Sequence, residues 1–155
     1  MKKIVAKLVI GIAIASVGMF GADVRLGNWK FNAAKSKSTS SNPIKVQTDA
    51  VEASPDGKVT TNRTGQMADG TAFKYSFSYK YDGRDYPVKS APFDMISVKR
   101  IDANTTNFEV SKTGSKYQMK GQTVISRDAQ TKTMTAQGTD AAGKSFSQTL
   151  VFNRF

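Results

Sequence analysis

The sequence contains neither cysteine nor histidine among its 155 residues. Without cysteine there is no disulfide, no thiol nucleophile and no thiolate ligand for zinc. Without histidine there is no Ser-His-Asp triad and no imidazole ligand for haem. The sequence therefore predicts a protein that is not an enzyme, has no catalytic or metal site and needs no cofactor. Its stability must come from secondary structure and core packing.

The N-terminal segment is basic at first and then apolar. Lys2, Lys3 and Lys7 precede a run from Leu8 to Phe20 without charge, and small residues follow as far as Ala22. This layout is typical of a secretory signal peptide, and the run is shorter than the about 20 residues of a transmembrane helix. We predict a signal peptide over residues 1–22 and a periplasmic or secreted protein. A cut after Gly18 and an uncleaved anchor are the alternatives.

Basic side chains outnumber acidic ones by 23 to 12, which gives a net charge of +11. Loss of residues 1–22 would remove three lysines and leave 20 basic side chains against 12 acidic ones. These cations are spread through nearly every predicted strand and turn, which favours a solubilising role. A surface that binds an anionic envelope polymer or lipid is the alternative, and nucleic acid is not an expected partner.

Beyond Asp23 the chain consists of short alternating runs separated by turn residues, a pattern typical of an all-β sandwich or barrel. Closure of a meander removes exposed strand edges, so we predict a small antiparallel meander β-barrel of about 8–10 strands in a single domain over residues 23–155. The polar segment 35–43 is predicted to be a flexible basic loop. The predicted strands are 27–32, 44–53, 57–67, 71–82, 84–89, 95–102, 106–112, 116–126, 132–139 and 144–154.

Two motifs that suggest chemistry are assigned to turns instead. The segment from Gly138 to Ser145 fits the phosphate-loop formula, but an alternating strand follows Lys144 where the mechanism needs a helix, so no nucleotide site is predicted. A set of aspartates at predicted turns is expected to cap local backbone amides and not to act in catalysis. Its members are Asp56, Asp69, Asp82, Asp102 and Asp140.

One predicted strand carries five aromatic residues at strict alternation, in the sequence FKYSFSYKY from Phe73 to Tyr81. The rings can be simple core, or the wall of a ligand cavity in which tyrosine hydroxyls orient the ligand. A nucleic-acid stacking surface is disfavoured because Lys74 and Lys80 lie on the opposite face. The sequence leaves both interpretations, simple core and cavity wall, as alternatives. The candidate ligand-binding residues are Trp29, Phe73, Tyr75, Phe77, Tyr79 and Tyr81.

The segments 27–32 (GNWKFN), 35–37 (KSK), 81–88 (YDGRDYPV) and 99–102 (KRID) resemble those of a family of small secreted bacterial proteins without an established activity. Gly27 and Trp29 are also similar to the Gly-x-Trp of the lipocalin and fatty-acid-binding superfamily. That resemblance implies a lipocalin-like barrel with an apolar interior, closed at one end by Trp29 stacked on a basic residue, either Arg154 or Arg100. It also implies a small apolar or amphipathic ligand.

The chain ends in Phe155 on an alternating strand, which is common in outer-membrane barrels. Counting back from it gives Asn153, Val151, Thr149 and Ser147, a poor face for lipid. The favoured function is an exported, non-enzymatic barrel that binds a small ligand in its interior. A basic envelope interaction protein and an outer-membrane barrel are the alternatives.

Overall fold

The computed structural model of the protein describes residues 22–155, which fold into antiparallel strands around one interior. The predicted signal peptide lies outside the described residues, except for Ala22. No helix in the described part is long and apolar enough to cross a membrane. The strands are β1 (Gly27–Phe31), β2 (Lys37–Ser38), β3 (Ile44–Ala53), β4 (Val59–Met67), β5 (Ala72–Tyr79), β6 (Asp82–Pro87), β7 (Met95–Arg100), β8 (Thr105–Ser111), β9 (Gln118–Ile125), β10 (Thr131–Thr139) and β11 (Ser145–Arg154).

The sheet rolls into a nearly closed barrel in which the first and last strands of the chain pair. β1 pairs with β3 on one side and with β11 on the other, and all remaining neighbours in the strand order are joined as hairpins. The strand order is β5-β4-β3-β1-β11-β10-β9-β8-β7-β6, so β5 and β6 are the two edges. These edges follow one another in the chain but are not paired within the described sheet. The predicted meander barrel is confirmed.

The predicted hairpin turn at Asp82-Gly83 is wrong. β5 ends at Tyr79, and Asp82 and Gly83 belong to β6, where the register with β7 shifts between Asp82 and Asp85. Gly83 has φ +73°, a left-handed backbone that glycine adopts readily and that suits an irregular strand. The five alternating aromatic residues from Phe73 to Tyr81, which we call the aromatic stripe, therefore run past the end of β5. The last of them, Tyr81, lies in the connection to β6.

The segment predicted as a flexible loop over residues 35–43 is partly ordered against the sheet. A single 3₁₀ turn over Ala33–Lys35 precedes β2, and β2 pairs with β11. Ser36 Oγ accepts a hydrogen bond from Val151 N at 2.9 Å. The local polarity favoured a loop, but free backbone groups beside β11 give the segment hydrogen-bond partners.

The predicted capping role of the turn aspartates is confirmed. The side chains of Asp56, Asp69, Asp82, Asp102 and Asp140 each accept a backbone N–H two residues further along the chain. Asp140 caps the turn between β10 and β11, and the phosphate-loop-like segment is therefore the tip of a hairpin.

Alternation places apolar side chains inside the barrel and mostly polar ones outside. The interior holds two groups of buried residues. The upper core contains Phe77, Val88, Phe93, Ile96, Val98, Phe108, Val110 and Ala136. The lower core contains Trp29, Val51, Val59, Ile125, Leu150 and Phe152.

Trp29 of the lower core and Arg154, its partner across β1 and β11, close one end of the barrel. Trp29 has no exposed surface, and its Nε1 donates to the Arg25 carbonyl at 3.0 Å. Arg154 Cζ lies 4.3 Å from the centroid of the indole ring, so the predicted stacking of Trp29 on Arg154 is confirmed. The guanidinium also donates to the carbonyls of Val24, Leu26 and Ala129. Arg100 lies over Tyr81 instead, at 4.6 Å.

We expect Arg154→Lys to lower the free energy of unfolding by about 2 kcal/mol or more, because an ammonium cannot reproduce the planar stack together with three divergent carbonyl contacts. Urea unfolding followed by Trp29 fluorescence measures the change. Arg127→Lys is the matched control, since Arg127 is exposed, and it should shift stability by no more than about 0.5 kcal/mol. Equal effects of the two substitutions would show that Arg154 is not a structural anchor.

Candidate functional site

Three charged side chains from different strands meet inside the barrel. The carboxylate of Asp49 on β3 accepts hydrogen bonds from Arg63 of β4, through Nε at 2.8 Å and Nη2 at 3.0 Å. It also accepts one from Lys132 Nζ of β10, at 2.9 Å. Gln47 also donates to Asp49, at 2.9 Å. The Asp49 side chain is only 1% exposed. We call Asp49, Arg63 and Lys132 the interior charge cluster.

The interior charge cluster holds two cations and one carboxylate. Burial alone would raise the pKa of Asp49, but the charges and hydrogen bonds of Arg63 and Lys132 outweigh burial and hold that pKa well below its usual range. Burial lowers the pKa of Lys132, against the opposing attraction of Asp49. Among residues 22–155 no second carboxylate lies within salt-bridge distance of either cation. The two cations therefore share one carboxylate, and the cluster holds one more basic side chain than acidic side chains.

Aromatic rings surround both cations. Arg63 Cζ lies 5.3 Å from the ring centroid of Phe77 and 5.9 Å from that of Tyr75. Lys132 Nζ lies 4.4 Å from the ring centroid of Phe152 and 5.4 Å from that of Trp29. Such ring faces stabilise a desolvated cation. The rings thus support the positive charge inside the barrel without neutralising it.

A small cavity separates the interior charge cluster from the upper core, with a volume of about 100 Å³. This is room for roughly three water molecules, whereas ligand pockets usually span about 300–1,000 Å³. The interior as it stands is therefore largely filled by side chains. Besides the cluster, the lining includes Thr61, Phe77, Tyr79, Phe93, Phe108 and Met134.

The candidate residues from the aromatic stripe form a continuous row along the interior. Neighbouring ring centroids, from Phe73 to Tyr81, are 6.0, 6.1, 6.1 and 5.7 Å apart. Of the predicted ligand-binding residues, Phe77 and Tyr79 line the cavity. Phe73, Tyr75 and Tyr81 lie outside its lining, and Trp29 lies at the closed end. A ligand-binding role for these six residues stays a prediction.

The tyrosine hydroxyls differ in their surroundings. Tyr75 Oη accepts a hydrogen bond from Arg63 Nη1 at 3.4 Å and so extends the interior charge cluster. Burial raises the pKa of Tyr79, which also lies close to Thr61. Burial raises the pKa of Tyr117 to about 12. The hydroxyls of Tyr79 and Tyr117 are therefore neutral at physiological pH and can act as hydrogen-bond donors.

The interior charge cluster was missed because its members look like ordinary surface charges when each is taken alone. The available signal was parity: Asp49 alternates with Val51, and Lys132 alternates with Met134, on faces that are otherwise inward. Charged residues at apolar-face positions of a barrel strand indicate a buried interaction. Their pairing with one another depends on the closure of the sheet.

Comparison with known proteins agrees with this architecture. No protein-family model and no curated protein matches the chain. The chain is similar to a Schistosoma mansoni fatty acid binding protein in complex with arachidonic acid, with TM-score 0.55 and 12% identity over 85% of this chain and 96% of that one. It is also similar to the fluorescent protein UnaG, with TM-score 0.52 and 12% identity over 84% and 96%.

A third similar structure is the S-type phycobiliprotein lyase CPES from Guillardia theta, with TM-score 0.56 and 10% identity over 85% of this chain and 89% of that one. At these identities the likeness concerns the fold. The chain is a β-barrel of the type found in fatty-acid-binding proteins and other lipocalin-like proteins, which agrees with the looser of the two sequence resemblances. The resemblance to the small secreted bacterial proteins stays a prediction.

We expect Asp49→Asn to destabilise the protein by about 3–5 kcal/mol at pH 7, because two buried cations lose their counter-charge. Since the pKa of Asp49 is lowered in the folded state, its stabilisation is present above the ordinary value of 3.8 and is lost as the pH falls through the folded-state value. The difference in free energy of unfolding between wild type and Asp49→Asn should therefore begin to decrease only below about pH 4. Urea unfolding across a pH series measures it.

Glu52→Gln is the control for this prediction. Glu52 lies on the same strand as Asp49 but is exposed on its outer side. Its loss should change the free energy of unfolding by no more than about 0.5 kcal/mol. A gap for Asp49→Asn that is no larger than this, or that does not depend on acid pH, would contradict the assigned role of Asp49.

Proposed function

We propose that the barrel binds a small amphipathic molecule in its interior, with an acidic group of that molecule at the interior charge cluster. The observation that carries this proposal is the charge imbalance around Asp49. Arg63 and Lys132 both donate to this one carboxylate, deep in the barrel. Two buried cations that share one carboxylate are incompletely compensated, and a ligand anion would offset the cost of the remaining positive charge.

The surroundings of the cluster support an amphipathic rather than a fully polar ligand. The cavity beside it is lined mainly by apolar and aromatic side chains, including Phe77, Phe108 and Met134. A few polar groups within an apolar wall are the usual composition of small-molecule sites. The similar fatty acid binding protein is described in complex with arachidonic acid, which joins a carboxylate to an apolar chain.

We further propose that the protein acts as a non-enzymatic carrier outside the cytoplasm. The signal-peptide layout of residues 1–22 supports export, and the absence of cysteine and histidine from the sequence supports a binding role. Mass spectrometry of the N-terminus of protein recovered from its host measures processing. A mature chain that begins near residue 23 supports export, and an intact Met1 on cytoplasmic protein contradicts it.

Calorimetric titration with dodecanoate and with dodecanol tests the ligand chemistry, because the two differ only in the acidic group. We expect dodecanoate to bind at least tenfold more tightly, about 1.4 kcal/mol, and Lys132→Met to reduce that preference. Lys132→Met leaves the neutral pair of Asp49 and Arg63, so the fold should tolerate it. Thermal unfolding of the variant verifies that it does.

Lys120→Met is the matched control, because Lys120 is exposed on the outer side of β9. It should leave both affinities unchanged. Equal losses in Lys120→Met and Lys132→Met, together with steep weakening by salt, would overturn interior binding and favour a basic surface that binds anionic polymers or lipids.

A further inference from the structure

The connection between β6 and β7 sends one aromatic side chain into the barrel. Phe93, near the end of residues 88–94, is only 4% exposed and lines the interior cavity. Its ring meets Tyr75 and Phe77 of the aromatic stripe edge-on, with centroid distances of 5.9 and 5.6 Å. Phe93 is part of a loop, whereas Phe77, Tyr79 and Phe108, which also line the cavity, are part of strands.

The loop is fixed at its base and has little support along its arch. Val88 N donates to the Asp94 carbonyl at 2.8 Å, and Asp94 N donates to the Ser111 carbonyl at 3.0 Å. Between these anchors, residues 89–93 make no backbone hydrogen bond in the described part of the chain. Ser90 has φ +59°, a strained value for a residue other than glycine. Ring contacts therefore hold Phe93 in the interior.

The loop also lies at an opening of the sheet. It follows β6, which pairs with β7 on one side and leaves its other edge unpaired beside β5. Phe93 contacts β5 across this unpaired edge through Tyr75 and Phe77. Outward movement of the loop would thus break no strand pairing within the described sheet.

The Phe93 side chain occupies volume that the cavity would need in order to hold a ligand. A cavity of about 150 Å³ accommodates a benzene ring, so withdrawal of the phenyl group would enlarge the interior space by at most that amount. Added to the present cavity of about 100 Å³, this approaches the lower limit of about 300 Å³ for ligand pockets. Removal of one side chain would bring the interior close to a size that holds a small ligand.

We propose that Phe93 occupies the space of the ligand's apolar part, and that outward movement of residues 89–93, between the anchors at Val88 and Asp94, admits the ligand. This inference rests on the proposed function, and it adds how the site becomes accessible. In the ligand-free protein the ring stabilises the upper core. Binding exchanges the ring's contacts with Tyr75 and Phe77 for contacts with the ligand, and the acidic group reaches the interior charge cluster.

Stopped-flow association with dodecanoate, followed by Trp29 fluorescence, tests the proposal with Phe93→Leu and Phe108→Leu. Both substitutions replace a buried aromatic ring of the cavity lining with a smaller side chain. Phe108, however, lies on β8, which is paired on both sides, whereas Phe93 lies on the loop. Leucine at position 93 lacks the two edge-on contacts, so association should be roughly tenfold faster in that variant. Phe108→Leu should leave the association rate unchanged. An association rate of Phe93→Leu no higher than that of Phe108→Leu would overturn the proposal.

A label on the loop gives a second readout. Because the sequence has no cysteine, Lys89→Cys can carry a single environment-sensitive fluorophore, and Ala141→Cys on the exposed β10–β11 turn is the control. Dodecanoate should change the emission of the label at position 89 and leave that at position 141 unaltered. Calorimetric binding without a change at position 89 would overturn the loop movement while the proposed function stands. No heat of binding in wild type, Phe93→Leu or Phe108→Leu would overturn both.

Discussion

Asp49 holds two cations inside the barrel, and the organisation of the interior follows from this interaction. A carboxylate that is 1% exposed is stable there because Arg63 binds it through two nitrogens and Lys132 binds it through a third. Their combined attraction exceeds the desolvation of one carboxylate, so its pKa is depressed despite burial. The same arrangement leaves the cluster with excess positive charge. Aromatic faces on Phe77 and Phe152 accommodate that charge, but a ligand anion would neutralise it.

Closure of the barrel decides which residues can reach this cluster. Pairing of β1 with both β3 and β11 brings Lys132 of β10 within 2.9 Å of Asp49, although 83 residues separate them in the chain. Trp29 and Arg154 close one end, where the guanidinium satisfies three carbonyls that would otherwise lack partners. The opposite region contains the unpaired edges of β5 and β6 and the loop with Phe93. The sheet is therefore continuous through β1 and β11 and unpaired between β5 and β6.

Much of the fold is predictable from the sequence because strands and turns are local. Alternation and the turn aspartates located ten of the strands, and Gly27 with Trp29 indicated the closed end. The missing hairpin between β5 and β6 was not predictable, since Asp82-Gly83 is compatible with both a turn and a bulge. The interior charge cluster and the filling of the cavity by Phe93 depend on contacts across the barrel. Parity marks Asp49 and Lys132 as inward-facing, but neither their spacing nor the loop sequence around Phe93 shows which partners these side chains meet.

We have proposed that the barrel interior receives an acidic amphipathic ligand at the interior charge cluster. A crystal structure of the protein with dodecanoate tests it most directly. We expect the carboxylate within hydrogen-bond distance of Lys132 Nζ or Arg63, the alkyl chain against Phe77, and the Phe93 ring withdrawn from the interior. An unchanged interior, with dodecanoate bound only to lysines on the outer face, would contradict interior binding.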